Sequence, residues 1–190
     1  MIMAVQFIAN KNKLSKTRKT MLNSIADNTL FKIDLIKAGK DTVDIDLSLS
    51  MNINKLKSLI FDSGKTDSHL TECGRNTINI LSCLEKINSI LGDVRNKSYS
   101  SELLDDISTV LKELKNDKFN INSNDLECKY KESVLYALDT TDIEIIYDFI
   151  NTVKTLDVEI KNIMKLLICK NIQNELSIPD EFKQLHIQKI

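Results

Sequence analysis

From Val43 to Leu49 every second residue is apolar: Val43, Ile45, Leu47 and Leu49 alternate with Asp44, Asp46 and Ser48. From about residue 68 onward the apolar residues instead recur at helical spacing. This change of period constrains the fold most, because side chains switch faces at each step of a strand but return every three or four residues on a helix. Read as a strand, 43–49 pairs with Phe31, Ile33 and Leu35, which alternate with Lys32 and Asp34, across a turn at Ala38-Gly39-Lys40-Asp41. The expectation is an antiparallel hairpin over residues 29–50, with one apolar face covered by helices. The predicted fold class is therefore α+β, predominantly α: an antiparallel helical bundle with a small N-terminal β-hairpin or sheet packed on it.

The rest of the chain reads as helices. Residues 3–9 suit a further strand, 13–26 a basic amphipathic helix, and 52–61 a short helix closed by Asp62-Ser63-Gly64. A long helix is expected from Ser68 to Val94, where Ile80, Leu84, Ile87, Leu91 and Val94 make one stripe. The next runs to about Lys115, with Leu103, Ile107, Val110 and Leu114 on its inner side and Glu102 near its positive N-terminus. The polar run 116–124 reads as a loop, and Asn124 with Glu127 as a capping box. Thr141 with Glu144 opens the longest helix, about 142–172, whose stripe contains Ile146, Ile150, Val153 and Ile160 and is interrupted by Asp157. The organisation expected is 1–62, a hairpin region with a basic helix and a short connecting helix; 63–176, the bundle; and 177–190, a tail. Together they suit one compact domain at this length.

With 42% hydrophobic and 28% charged residues and a net charge of -1, the chain has globular composition, which argues against wholesale disorder. One Pro, four Gly and no Trp leave too little punctuation for an all-β sandwich. No stretch is long and free enough of charge to predict a membrane span. The apolar opening from Met1 to Ala9 precedes positive charge, the reverse of a signal peptide. Cys73, Cys83, Cys128 and Cys169 form no C-x-x-C pair, so reduced thiols and a cytoplasmic or other reducing compartment are expected.

Little in the chain has the spacing that chemistry requires. Ser63-Gly64-Lys65-Thr66 has the Gly-Lys-Thr of a phosphate loop, but Leu59 stands where that loop needs its first glycine. His69 and Cys73 lie four apart with no third residue to orient them, and His186 is in the tail. Asp105-Asp106 and Asp44/Asp46 suit helix termini or a solvated strand face better than a metal. No catalytic residue, cofactor or metal site is expected.

Two surfaces remain as candidates for binding. Lys11, Lys13, Lys16, Arg18 and Lys19 form an acid-free basic cluster able to contact a polyanion, though without interleaved aromatics and opposed by the acidic 102–159 region. Ile146, Ile150, Val153, Asp157 and Ile160 could meet a partner helix, since an amphipathic stripe buries equally well against its own bundle or another chain. The leading expectation is a non-catalytic protein–protein interaction or assembly protein, self-associating or bound to a protein partner. A nucleic-acid-associated factor is the alternative from a different class. The bias toward Ile, Lys, Asn and Asp points to an A/T-rich coding genome, as in large DNA viruses, phages and some host-associated bacteria. In size and helical character the chain also resembles Bcl-2-like poxvirus modulators, which implies a host-response role and carries over no residue.

Overall fold

The structure, a computed structural model, describes the backbone of residues 2–63, 68–94, 100–116, 121–136 and 140–176. Side-chain surroundings are described for 16–61, 74–94, 101–116, 121–131 and 142–166. The described residues form helices α1 (Ile2–Lys37), α2 (Val43–Ser63), α3 (Ser68–Val94), α4 (Ser100–Lys115), α5 (Ser123–Tyr136) and α6 (Thr140–Leu176). They contain no strand.

The expected α+β class is thus corrected to all-α among the described residues, and the reason lies in helix geometry. Successive residues on an α-helix turn by about 100°, so residues two apart lie almost opposite each other and residues four apart lie nearly in line. A helix with two opposed apolar faces therefore carries an apolar residue at every second position, as a half-buried strand does. In α2 the alternating residues split in this way: Leu49 and Ile53 are buried and Ile45 is half-buried, whereas Val43, Leu47 and Met51 are exposed. The same holds in α1, where Ile33 is fully buried and Phe31 exposed. The strand expected at 3–9 is also helix, continuous with the basic segment in α1.

The turn, unlike the strands, stands where the sequence placed it. Gly39 takes a φ of 66°, and the Lys40 amide donates to Leu35 O at 2.9 Å while the Gly39 amide donates to Ile36 O at 3.0 Å. This pair of bonds is the Schellman ending of a helix, for which glycine has the least steric cost. Asp41 Oδ1 then accepts the amides of Thr42 at 2.7 Å and Val43 at 3.2 Å, which starts α2 at once. Ala38 to Asp41 thus reverses the chain between two helices instead of two strands.

α3 and α6 make the most extensive helix pairing; α1 packs on α2 and α4, α2 on α3, and α5 on α6. Ile80, Leu84, Ile87, Leu91 and Val94 of α3 are all buried, as are Leu103, Ile107 and Val110 of α4. Phe149 and Leu156 of α6 complete the centre. Gly74 brings α3 close to α2, since a Cβ there would stand 3.2 Å from Ile60 Cγ2. The α5 cap is Asn122, whose Oδ1 accepts the Asn124 amide at 3.1 Å, two residues earlier than the expected Asn124 box. Residues 64–67, which hold most of the phosphate-loop candidate, and the tail 177–190 with His186 lie outside the described residues.

Candidate functional site

Three surfaces can be compared as sites. The first is a polar groove of about 470 Å³ between α3 and α6, lined by Asn79, Ser82, Cys83, Lys86, Asp148, Asn151, Thr152, Thr155 and Glu159. Most of these groups already satisfy one another. Lys86 pairs with Asp148 at 2.6 Å, Asn79 Nδ2 donates to Glu159 Oε1 at 2.9 Å, and Thr152 and Thr155 hydroxyls donate to Asp148 O and Asn151 O. Burial, with the Glu159 carboxylate adding to it, pushes the Cys83 thiol up to about 11. A thiol held neutral at physiological pH is a poor nucleophile, and no histidine lines the groove. Its chemistry is that of an interhelical seam.

The second surface is the basic cluster. Lys11, Lys13, Lys16, Arg18 and Lys19 all fall on α1, where their numbering spreads them over an arc of about 220° instead of one narrow face. Lys16 and Lys19 are exposed, but Arg18 retains only 5% exposure. The side chains of Lys11 and Lys13 lie outside the described residues. The described members therefore do not form a single outward-facing cationic strip.

The third surface comes from α2 and was not singled out in the sequence as a site. Val43, Leu47, Met51 and Phe61 keep 66, 64, 65 and 63% of their surface exposed. Phe61 lies eighteen residues beyond Val43, about five complete turns, so the four share one side of α2 along about 27 Å. On that same side the exposed positions between them are Ser50, Asn54 and Ser58, none charged, with the exposed Asp44 and Lys55 on its flank; the Ser58 hydroxyl turns back to Asn54 O at 3.1 Å. The opposite side of the helix, with Leu49, Ile53, Leu56 and Ile60, is in the core. Exposed apolar residues of α6 are arranged differently, since Tyr147 and Val158 stand among Lys154 and Lys161.

The α6 stripe proposed for a partner helix is placed against its own bundle. Ile146, Ile150 and Val153 are buried, and Ile160 is partly buried against the core. Asp157 sits at the edge of the stripe and pairs with Lys161 at 2.6 Å, while Leu156 fills the seam. The apolar members of the stripe thus belong to the interior of the bundle, on a helix whose most extensive neighbour is α3.

Among the described residues no group of His, Cys, Asp and Glu is arranged to hold a metal ion, and no helix is long and apolar enough to cross a membrane. The outer face of α2 was missed because alternation was read as one strand with one buried side. The available signal was its length: apolar residues at every second position from Val43 to Ile53 exceed an ordinary strand of five or six residues. No protein-family model matches this chain, and no curated protein or solved structure is significantly similar to it.

Proposed function

We propose that this protein acts by non-catalytic protein–protein contact and that the outer face of α2 is the contact surface. The observation that carries the reading is the exposed, charge-free row of Val43, Leu47, Met51 and Phe61 on a helix whose other side is already buried. Single exposed apolar side chains are ordinary on a soluble protein, but a contiguous row along one helix favours burial against another surface. A helix face of this kind is recognised through anchors at four-residue spacing, as Val43, Leu47 and Met51 are. Catalysis has less support, because no histidine lines the polar groove and burial holds its one thiol, Cys83, in the neutral form.

The test is a photoreactive side chain placed at Leu47, with Glu144 on the exposed side of α6 as the control position. Crosslinking to protein from position 47, lost when Val43 and Met51 are changed to Ser and absent from position 144, is the expected result. Equal crosslinking from both positions, or none from either, removes the basis for the reading.

A further inference from the structure

The charges that flank the α2 face say what it fits. Asp44 and Lys55 are both exposed, and neither side chain has an ion pair or hydrogen bond among the described residues. They are eleven residues apart, about three full turns, and so lie on the same flank of the apolar row. Leu47 and Met51 stand between them near the midpoint. The row is thus bordered by an unpaired acid toward its N-terminal end and an unpaired base toward its C-terminal end.

Resting on the contact surface proposed above, we infer that its occupant is a second copy of this chain, with α2 packed antiparallel on α2. A twofold axis at right angles to both helices, midway between residues 49 and 50, keeps the same flank of each helix on the same side. It places Asp44 of one protomer level with Lys55 of the other, twice by symmetry, and brings Leu47 to within about one residue's rise, roughly 1.5 Å, of the level of Met51, also twice. Such an interface is isologous, the commonest arrangement among soluble oligomers. The parallel arrangement is disfavoured, because it brings together the two N-terminal ends, each bearing Asp41, Asp44 and Asp46, and aligns the helix dipoles. One helix pair buries less than the roughly 800 Å² per partner of a standard stable interface, so the dimer forms in the micromolar range and exchanges.

The experiment is sedimentation equilibrium of the full chain from about 1 to 500 μM, a span that brackets a micromolar constant. The wild-type protein is compared with Asp44→Lys, Lys55→Asp, an equimolar mixture of these two, and Leu47→Ser/Met51→Ser. All the altered side chains are solvent-facing, and thermal melts of each variant confirm the fold. Expected is a monomer–dimer equilibrium weakened about tenfold or more by each single charge reversal, and by the apolar double substitution. Mixing the two charge variants restores dimerisation, because each supplies the sign the other lacks. If the single reversals weaken dimerisation and the mixture does not recover it, the antiparallel pairing is wrong. A chain that stays monomeric throughout overturns the second-copy inference. Should position 47 then crosslink to a different protein, the contact reading survives without it, whereas no crosslink at all removes both.

Discussion

Lys32 Nζ lies 2.7 Å from Asp46 Oδ1 and donates to Asn88 O at 3.2 Å, so one nearly buried ammonium ties α1 to α2 and α3. Thr42 donates its hydroxyl to Asp46 Oδ2 at 2.9 Å, which holds the carboxylate at the first turn of α2. Asn88 Nδ2 bridges to Thr29 Oγ1 at 3.2 Å and extends the polar connection between α1 and α3. An ammonium removed from water requires this partner, and Asp46 is its only carboxylate among the described ion pairs.

Asp46→Ala should therefore destabilise the fold by about 3 kcal/mol, the lower end expected for leaving a buried charge uncompensated, because Asp46 is itself partly solvated. Lys32→Met, which keeps the stem and removes the charge, should cost less. Urea denaturation of the two variants checks the order. Equal and negligible losses would show that the pair contributes nothing to docking α1 on α2.

The cysteines should differ sharply in reactivity. Cys128 is exposed and Cys83 buried, and the Cys83 thiol, pushed up to about 11, has on the order of a hundredfold less thiolate near neutrality than an ordinary thiol. Alkylation at pH 8 followed by peptide mass spectrometry should find Cys128 modified first and Cys83 modified only slowly until the protein unfolds. Its raised value also has a stability consequence. The native state holds that proton more tightly than the unfolded chain, so its contribution is complete below about pH 9 and is lost as pH rises toward 11. Equal labelling rates for the two would contradict the burial of Cys83.

Two surface carboxylates show the opposite pH dependence, stabilising the fold at neutral pH and ceasing to do so in acid. The hydrogen bond from Lys37 holds the Asp105 carboxyl below its ordinary range, and the bond from Lys154 does the same for Glu127. A depressed carboxylate stabilises the fold above its unfolded pKa and ceases to do so as pH falls through its folded value. Both groups are on the surface, where screening keeps such pairs weak. The combined Asp105→Asn/Glu127→Gln variant should show a shallower fall in melting temperature between neutral pH and about pH 3 than the wild type. An unchanged slope would assign acid sensitivity to other carboxylates.

Legibility in the sequence followed the number of apolar faces on each element. α3 and α4 each carry one stripe, and their limits, Ser68–Val94 and Ser100–Lys115, agree with the spacing of Ile80 to Val94 and Leu103 to Leu114. The long α6 was legible for the same reason, and Asp157 proved an edge residue because the seam drifts to Leu156 over so many turns. α2 was misread because period two has two physical sources, and a single sequence does not separate them. Lys32 was hidden by the same ambiguity: as a strand residue it faces solvent, whereas in α1 it turns toward Asp46 and Asn88. The site face shares this origin, since whatever makes 43–53 look like a strand also places apolar side chains on the outside of a helix.

The most direct measurement compares Leu47→Asp with Leu49→Asp in thermal melts and sedimentation equilibrium. Leu49 is 3% exposed and Leu47 64% exposed, although only one residue separates them. Leu49→Asp is expected to lower stability by several kcal/mol, about the cost of forcing an unpaired charge into a core. Leu47→Asp should leave the melting temperature within about two degrees of wild type, the scale of a surface substitution, while abolishing self-association. On a strand the two residues would share a face and respond alike. Comparable destabilisation by both substitutions, or undiminished association of the Leu47→Asp protein, would contradict the claim that α2 is a helix with one face in the core and the other reserved for a partner.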